Sequence, residues 1–188
     1  GAGCRYSAAS GHGPCARAGE GPGHAKANGG GVRGFRPDDE RIRPALDMAG
    51  KEGLAYVFEK TTIAADAHPN TVRITLERGH RKPSLIGESL GAGRIRIVNI
   101  DGYPVEVNGS HHTIVLVAED VKGSIARIAG LLADADINIA TLRLTRKARG
   151  GDAFMVIEVD EAPGESVRDS IRALTWVRWT HRLDKVGV

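Results

Sequence analysis

Cysteine is scarce. The 188 residues include two, Cys4 and Cys15, both in a glycine-rich stretch, which argues against a disulfide framework and fits a reducing, cytoplasmic compartment. Aromatics are few as well, with three Phe, three Tyr and two Trp, so little is on offer to stack on bases. Lys and Arg exceed Asp and Glu only as 26 to 23, a formal charge of +3, and no nucleic-acid partner is expected from so small an excess. No apolar run approaches the roughly 18 residues of a membrane span, and the amino terminus lacks a basic segment followed by an apolar one. Neither a membrane partner nor export is therefore expected. The length suits one ordinary domain or two small ones.

Composition divides the chain into three. Residues 1–34 are rich in Gly, Ala and small polar residues without apolar periodicity, and such a segment is expected to be poorly ordered because it buries too little to offset its ordering entropy. The gaps between Cys4, His12, Cys15 and His24 match no compact zinc pattern, so no metal site is assigned there. Residues 35–110 read as a small mixed α/β domain. Pro37, Asp38 and Asp39 look like a helix start, Ile42, Ala45, Leu46 and Ala49 follow on one face, and Gly50 and Gly53 end it. "LAYVFEK", "TVRITLERG", "GRIRIVNI" and "YPVEV" read as strands, the last two joined by an Asp101-Gly102 hairpin turn.

Residues 111–188 follow a simpler plan: strand 113–118, helix 124–134, strand 138–145, strand 153–159, helix 165–174 and strand 176–183. The helix is expected to bury Ile125, Ile128, Ala129, Leu131 and Leu132. The order βαββαβ predicts a four-stranded antiparallel sheet with both helices on one face, the ferredoxin-like arrangement, and an α+β chain as a whole. Trp179, in phase with Val177 and Leu183, is expected to face the helices. Arg143, Arg146, Lys147 and Arg149 read as a solvated basic turn, and His111-His112 as a linker.

The turn Asp120 to Gly123 at the head of the first helix, followed by Asn138-Ile139 at the second strand, resembles the ACT domain, the amino-acid-sensing module of metabolic enzymes; Lys122 stands where that family usually has Pro. The resemblance implies an effector site at Asp120, Gly123, Asn138 and Ile139 for a small amino acid, and pairing of two copies through this domain. Independently, a helix amino terminus suits a carboxylate, while Asp120 or Asn138 offers an acceptor for an ammonium group. The plainer reading makes Asp120 a helix cap and Asn138 a turn residue.

"HPNTVRI" (68–74), "GESLGAGRIRI" (87–97) and "IDGYPVEVNG" (100–109), placed directly before an ACT domain, resemble the beta chain of the bacterial iron-sulfur-dependent L-serine dehydratases. That resemblance implies a lyase converting L-serine to pyruvate and ammonia, a step of amino-acid degradation that feeds gluconeogenesis. It implies a partner alpha chain carrying most catalytic groups and a 4Fe-4S cluster, since two cysteines cannot hold one alone. His68 and Asn70 become candidate substrate contacts presented to the partner's cleft, with a strand-opening turn as the plainer alternative. Gly91 and Gly93 in "GESLGAGR" either gather N–H groups for an anion or make a bulged turn, the latter being favoured. The family's Ser-Ser-Ser-His-Thr and Gly-His-Gly-Thr-Asp stretches are not found in residues 1–34, where only Gly11-His12-Gly13 remains; a fragment or a shifted reading frame would account for that. A stand-alone amino-acid-binding ACT regulator without catalysis is the alternative of a different class.

Overall fold

A computed structural model describes residues 4–10, 26, 31, 35, 39–60, 67–78, 80, 82–146 and 148–186. The chain divides into two units, Gly1–Glu106 and Val107–Val188. In the first, strands β1 (Cys4–Ser10), β2 (Leu54–Lys60), β3 (Thr71–Arg78), β4 (Ser84–Gly91), β5 (Arg94–Ile100) and β6 (Tyr103–Val107) form one sheet in the order β2-β1-β3-β4-β5-β6. Asp101 and Gly102 take φ of 51° and 82°, the left-handed values a two-residue hairpin of this kind requires. Between β4 and β5, Gly91, Ala92 and Gly93 all have positive φ, and the register slips between Ser89 and Gly91. This is a bulged turn.

Over Cys4–Ser10, β1 corrects the expectation of poor order for residues 1–34. Cys4–Ser10 pairs in parallel with β2 and antiparallel with β3 along its whole length. The alternation of Cys4, Tyr6 and Ala8 with Arg5 and Ser7 was the faint signal. A strand with neighbours on both sides satisfies its backbone donors and acceptors, and this context outweighs poor intrinsic preference. Gly11-His12-Gly13, Cys15, His24, Pro37 and Asp38 lie outside the described residues. The expected first helix is split. Asp39 accepts a hydrogen bond from the Arg41 N–H at 2.9 Å to start a 3-10 turn, Glu40–Ile42, and α1 (Ala45–Lys51) begins only after Pro44. Proline has no N–H to continue the preceding turn. The Arg41 side chain also hydrogen-bonds Asp39 and holds its carboxyl at about 2.

The second unit contains β7 (His112–Glu119), α2 (Ser124–Ala133), β8 (Ile139–Arg146), β9 (Asp152–Val159), α3 (Glu165–Arg172) and β10 (Val177–Leu183). The sheet order is β10-β7-β9-β8, with every neighbouring pair antiparallel. Ile114, Leu116 and Ala118 of β7 and Met155, Ile157 and Val159 of β9 share one core with Ile128 and Leu132 of α2 and Val167 and Ile171 of α3. Alternate strand residues point to one face, so both helices cover the same side, as the ferredoxin-like order requires.

Two expectations about burial are corrected. Ile125 is 44% exposed, and Ser124 is buried in its place. The stripe facing the sheet is Ser124, Ile128, Leu131 and Leu132, and Ile125 stands about 100° round the helix from Ser124. Trp179 does not face the helices. β10 slips register between Val177, opposite Ala118, and Trp179, opposite Val117. That bulge reverses the alternation, so Val177 packs on the helix-side core while Trp179 lies edge-on to Phe154, ring centroids 6.1 Å apart, on the other face. Among the described residues no helix is long and apolar enough to cross a membrane.

Candidate functional site

Four residues proposed for effector contact fall at two separate places. At one end of the second sheet, β7 runs into Asp120 and then Gly123, the N-cap of α2 at φ 81°, where no side chain caps the helix. Asp120 is therefore not a cap. Its Oδ2 accepts hydrogen bonds from Arg146 Nη1 at 2.8 Å and from the Gly150 N–H at 3.1 Å, while its own N–H donates to the Gly151 carbonyl. The Gly150 amide, followed by the Arg146 guanidinium, holds the Asp120 carboxyl below the ordinary carboxylate range. Its acceptor capacity is directed at the β8–β9 hairpin, and Arg146 is a partner rather than part of a purely solvated turn. Lys147 lies outside the described residues.

Asn138 and Ile139 sit at the other end. Asn138 donates its N–H to Glu161 Oε2 at 2.9 Å and its side-chain Nδ2 to Asp160 Oδ2 at 2.6 Å, and its carbonyl accepts from the Asp160 N–H. His111 Nε2 is 3.8 Å from the same Asp160 carboxylate, so the expected linker histidine also belongs here. Ile139 pairs with Val159 and packs on the core, whereas Arg146 pairs with Ala153 beside the Asp120 end. The eight residues of β8 separate the two groups by roughly 25 Å at about 3.3 Å per residue. Within one copy they do not form one site.

In the first unit, His68 and Asn70 do come together. His68 Nδ1 accepts from the Asn70 N–H at 3.1 Å, and the Thr71 hydroxyl donates to the His68 carbonyl. The Asn70 carbonyl in turn accepts from the Ser89 N–H of β4 at 2.9 Å. The corner is thus a turn that opens β3, and Nε2 is the nitrogen of His68 that it leaves for other contacts. One feature next to this corner escaped sequence reasoning. Glu88, 8% exposed, receives hydrogen bonds from Arg96 Nε at 2.9 Å and Nη2 at 2.7 Å. The signal for it was the "GAG" turn, which folds β5 back so that Arg96 stands opposite Glu88.

Among the described residues no three His, Cys, Asp or Glu side chains converge to hold a metal ion. A cubane cluster takes three or four thiolates, and the chain has two cysteines, so its residues do not fit such a cluster as sole ligands. The ACT domain profile matches residues 112–175. The chain is 33% identical over 161 residues to the L-serine dehydratase beta chain of Peptoniphilus asaccharolyticus, covering 85% of this chain and 72% of that one. It is 34% identical over 145 residues to the probable L-serine dehydratase beta chain of Bacillus subtilis, covering 77% and 66%. A D-3-phosphoglycerate dehydrogenase of Bacillus subtilis is 38% identical over 113 residues, but these cover only 21% of that relative. Similarity that runs through both units, from the His68 corner to the ACT sheet, places the chain in the L-serine dehydratase beta-chain family, as a lyase subunit that carries an ACT domain.

Proposed function

We propose that the chain works with an alpha chain as an iron-sulfur-dependent L-serine dehydratase, releasing pyruvate and ammonia from L-serine in the cytoplasm and so feeding gluconeogenesis. The observation that carries this is the extent of the beta-chain likeness, 85% of this chain, joined to a cysteine content too low for a cluster. The 4Fe-4S cluster then belongs to the alpha chain. When bound there it supplies Lewis-acid help to the departing hydroxyl. This chain contributes the His68–Asn70 corner, held against β4 by Ser89 and offering the imidazole Nε2 to substrate in the shared cleft.

The ACT domain binds a small amino acid between two copies. Support comes from the separation of the two candidate groups, since an amino acid spans far less than the length of β8. Laying two copies edge to edge along β8, the terminal strand of its sheet, in antiparallel fashion brings the Gly123 turn of one beside Asn138 of the other. The exposed Ile125 on α2 supplies apolar surface for such pairing. The uncapped start of α2 then meets the carboxylate, and the Asp160–Asn138 group meets the ammonium.

The test is to mix the purified chain with the candidate alpha chain under anaerobic conditions and assay pyruvate from L-serine. Release that needs both chains is expected. A mixture that stays inactive with an intact cluster on the alpha chain rejects the proposal.

A further inference from the structure

Thr71, Glu88 and Arg96 form a row across three strands. Thr71 of β3 stands opposite Glu88 of β4, and Glu88 opposite Arg96 of β5. Directly opposed residues share a face, and Arg73, two positions beyond Thr71, shares it as well. The row begins where the His68–Asn70 corner is tied to β4. Glu88 is buried beneath its partner, whose side chain stays 40% exposed.

The arginines are not used up by this arrangement. A guanidinium has five N–H donors, and Glu88 takes one from Nε and one from Nη2 of Arg96, both on a single oxygen. The remaining three have no partner among the described residues. Arg73, half-buried, has neither a hydrogen-bond nor an ion-pair partner among the described residues. Arg94, two positions before Arg96 on β5, shares the face too, so three arginines stand against the one carboxylate of Glu88 and this face carries an excess of positive charge. A buried ion pair adds little stability over a well-packed apolar pair of the same size. Holding a guanidinium in one fixed orientation is what Glu88 does that an apolar residue would not.

We infer that Arg96, oriented by Glu88 and joined by Arg73, is a binding subsite for the carboxylate of the substrate amino acid. The excess of positive charge on the face suits an anion, and the planar fork of Arg96 matches the two oxygens of a carboxylate. Arg96 and Arg73 are binding residues, and Glu88 is a positioning residue acting through Arg96. The inference rests on the dehydratase reading for the identity of the amino acid, and its test is separable from that reading.

The full chain, with 15N-labelled arginine side chains, is titrated with L-serine and with L-serinamide, which lacks the carboxylate. The Arg96 Nε signal is expected to move saturably with L-serine and not with the amide, and the movement should vanish in Arg73→Gln. Equal response to the two compounds, or no response at Arg96 up to roughly 50 mM, overturns the subsite, because the contact it invokes is charge-assisted and needs the carboxylate. In the mixture with the alpha chain, Arg96→Lys and Glu88→Gln should raise KM for L-serine about tenfold with kcat changed less than about threefold. A fall in kcat with KM unmoved also overturns it. If the wild-type mixture releases no pyruvate while the titration gives the expected result, the dehydratase reading fails and the carboxylate subsite stands.

Discussion

Asp120 shows how a single side chain changes meaning once its neighbours are known. In the sequence it stands before a helix and reads as a cap or as an ammonium acceptor, because the residues that occupy it, Arg146 and Gly150, lie 26 and 30 positions away. Only the register of β8 on β9 brings them there. Its lowered carboxyl pKa fixes the sign of a pH effect. A group ionised more readily in the folded chain than at the unfolded value of about 3.9 contributes fully above that value and loses its contribution as pH falls through the lower, folded one. Asp120→Asn should therefore unfold at a lower temperature than the wild type at pH 7, and the gap between them should narrow below about pH 4. Thermal unfolding followed by circular dichroism at both pH values checks this. A gap that widens in acid is the opposite sign and rejects it.

At the scale of elements, periodicity carried most of the second unit, since its six elements match the expected ones to within two residues at each end. Burial within elements was less legible. Trp179 misled because a bulge is a property of two paired strands, and the run "WVRWTHRL" gives no sign of the slip at Arg178. Ile125 misled because Ser124, polar yet small, fits closer to the sheet. β1 was missed because its residues have little strand preference and its partners are remote. The helix-side core supplies a direct prediction: Leu132 has no exposed surface and sits between α2 and the sheet, so Leu132→Ala should cost about 2–5 kcal/mol in urea unfolding. A cost below about 1 kcal/mol would mean that α2 is not packed as described.

For the whole molecule, the fold class was readable because it rests on patterning, whereas the candidate effector site was not, because its residues share a motif without sharing a place. Asp120 and Gly123 lie beyond one end of β8 and Asn138 before the other. If two copies complete each other, Gly123→Ala and Asn138→Ala should each abolish amino-acid binding at the ACT domain while leaving the Arg96 contact in place. Gly123 takes φ 81° with open space where a Cβ would lie, so the alanine costs about 1–2 kcal/mol through the backbone and meets no clash. An equimolar mixture of the two variants, unfolded and refolded together, should regain one working site in each mixed pair. Calorimetry with L-serine checks this. No recovery in the mixture rejects a site shared between two copies.

The seven residues of β1 are the seam by which β2 is sewn to the rest of its sheet, since β2 hydrogen-bonds to β1 and occupies the margin beyond it. A chain clipped after Ser10 would leave β2 with no ladder to climb, and α1, which leads into it, with it. Deuterium uptake should then rise across Leu54–Lys60 while β4 and β5 keep their protection. The least distinguished stretch of the polypeptide would prove to be the stitch that its margin depends on.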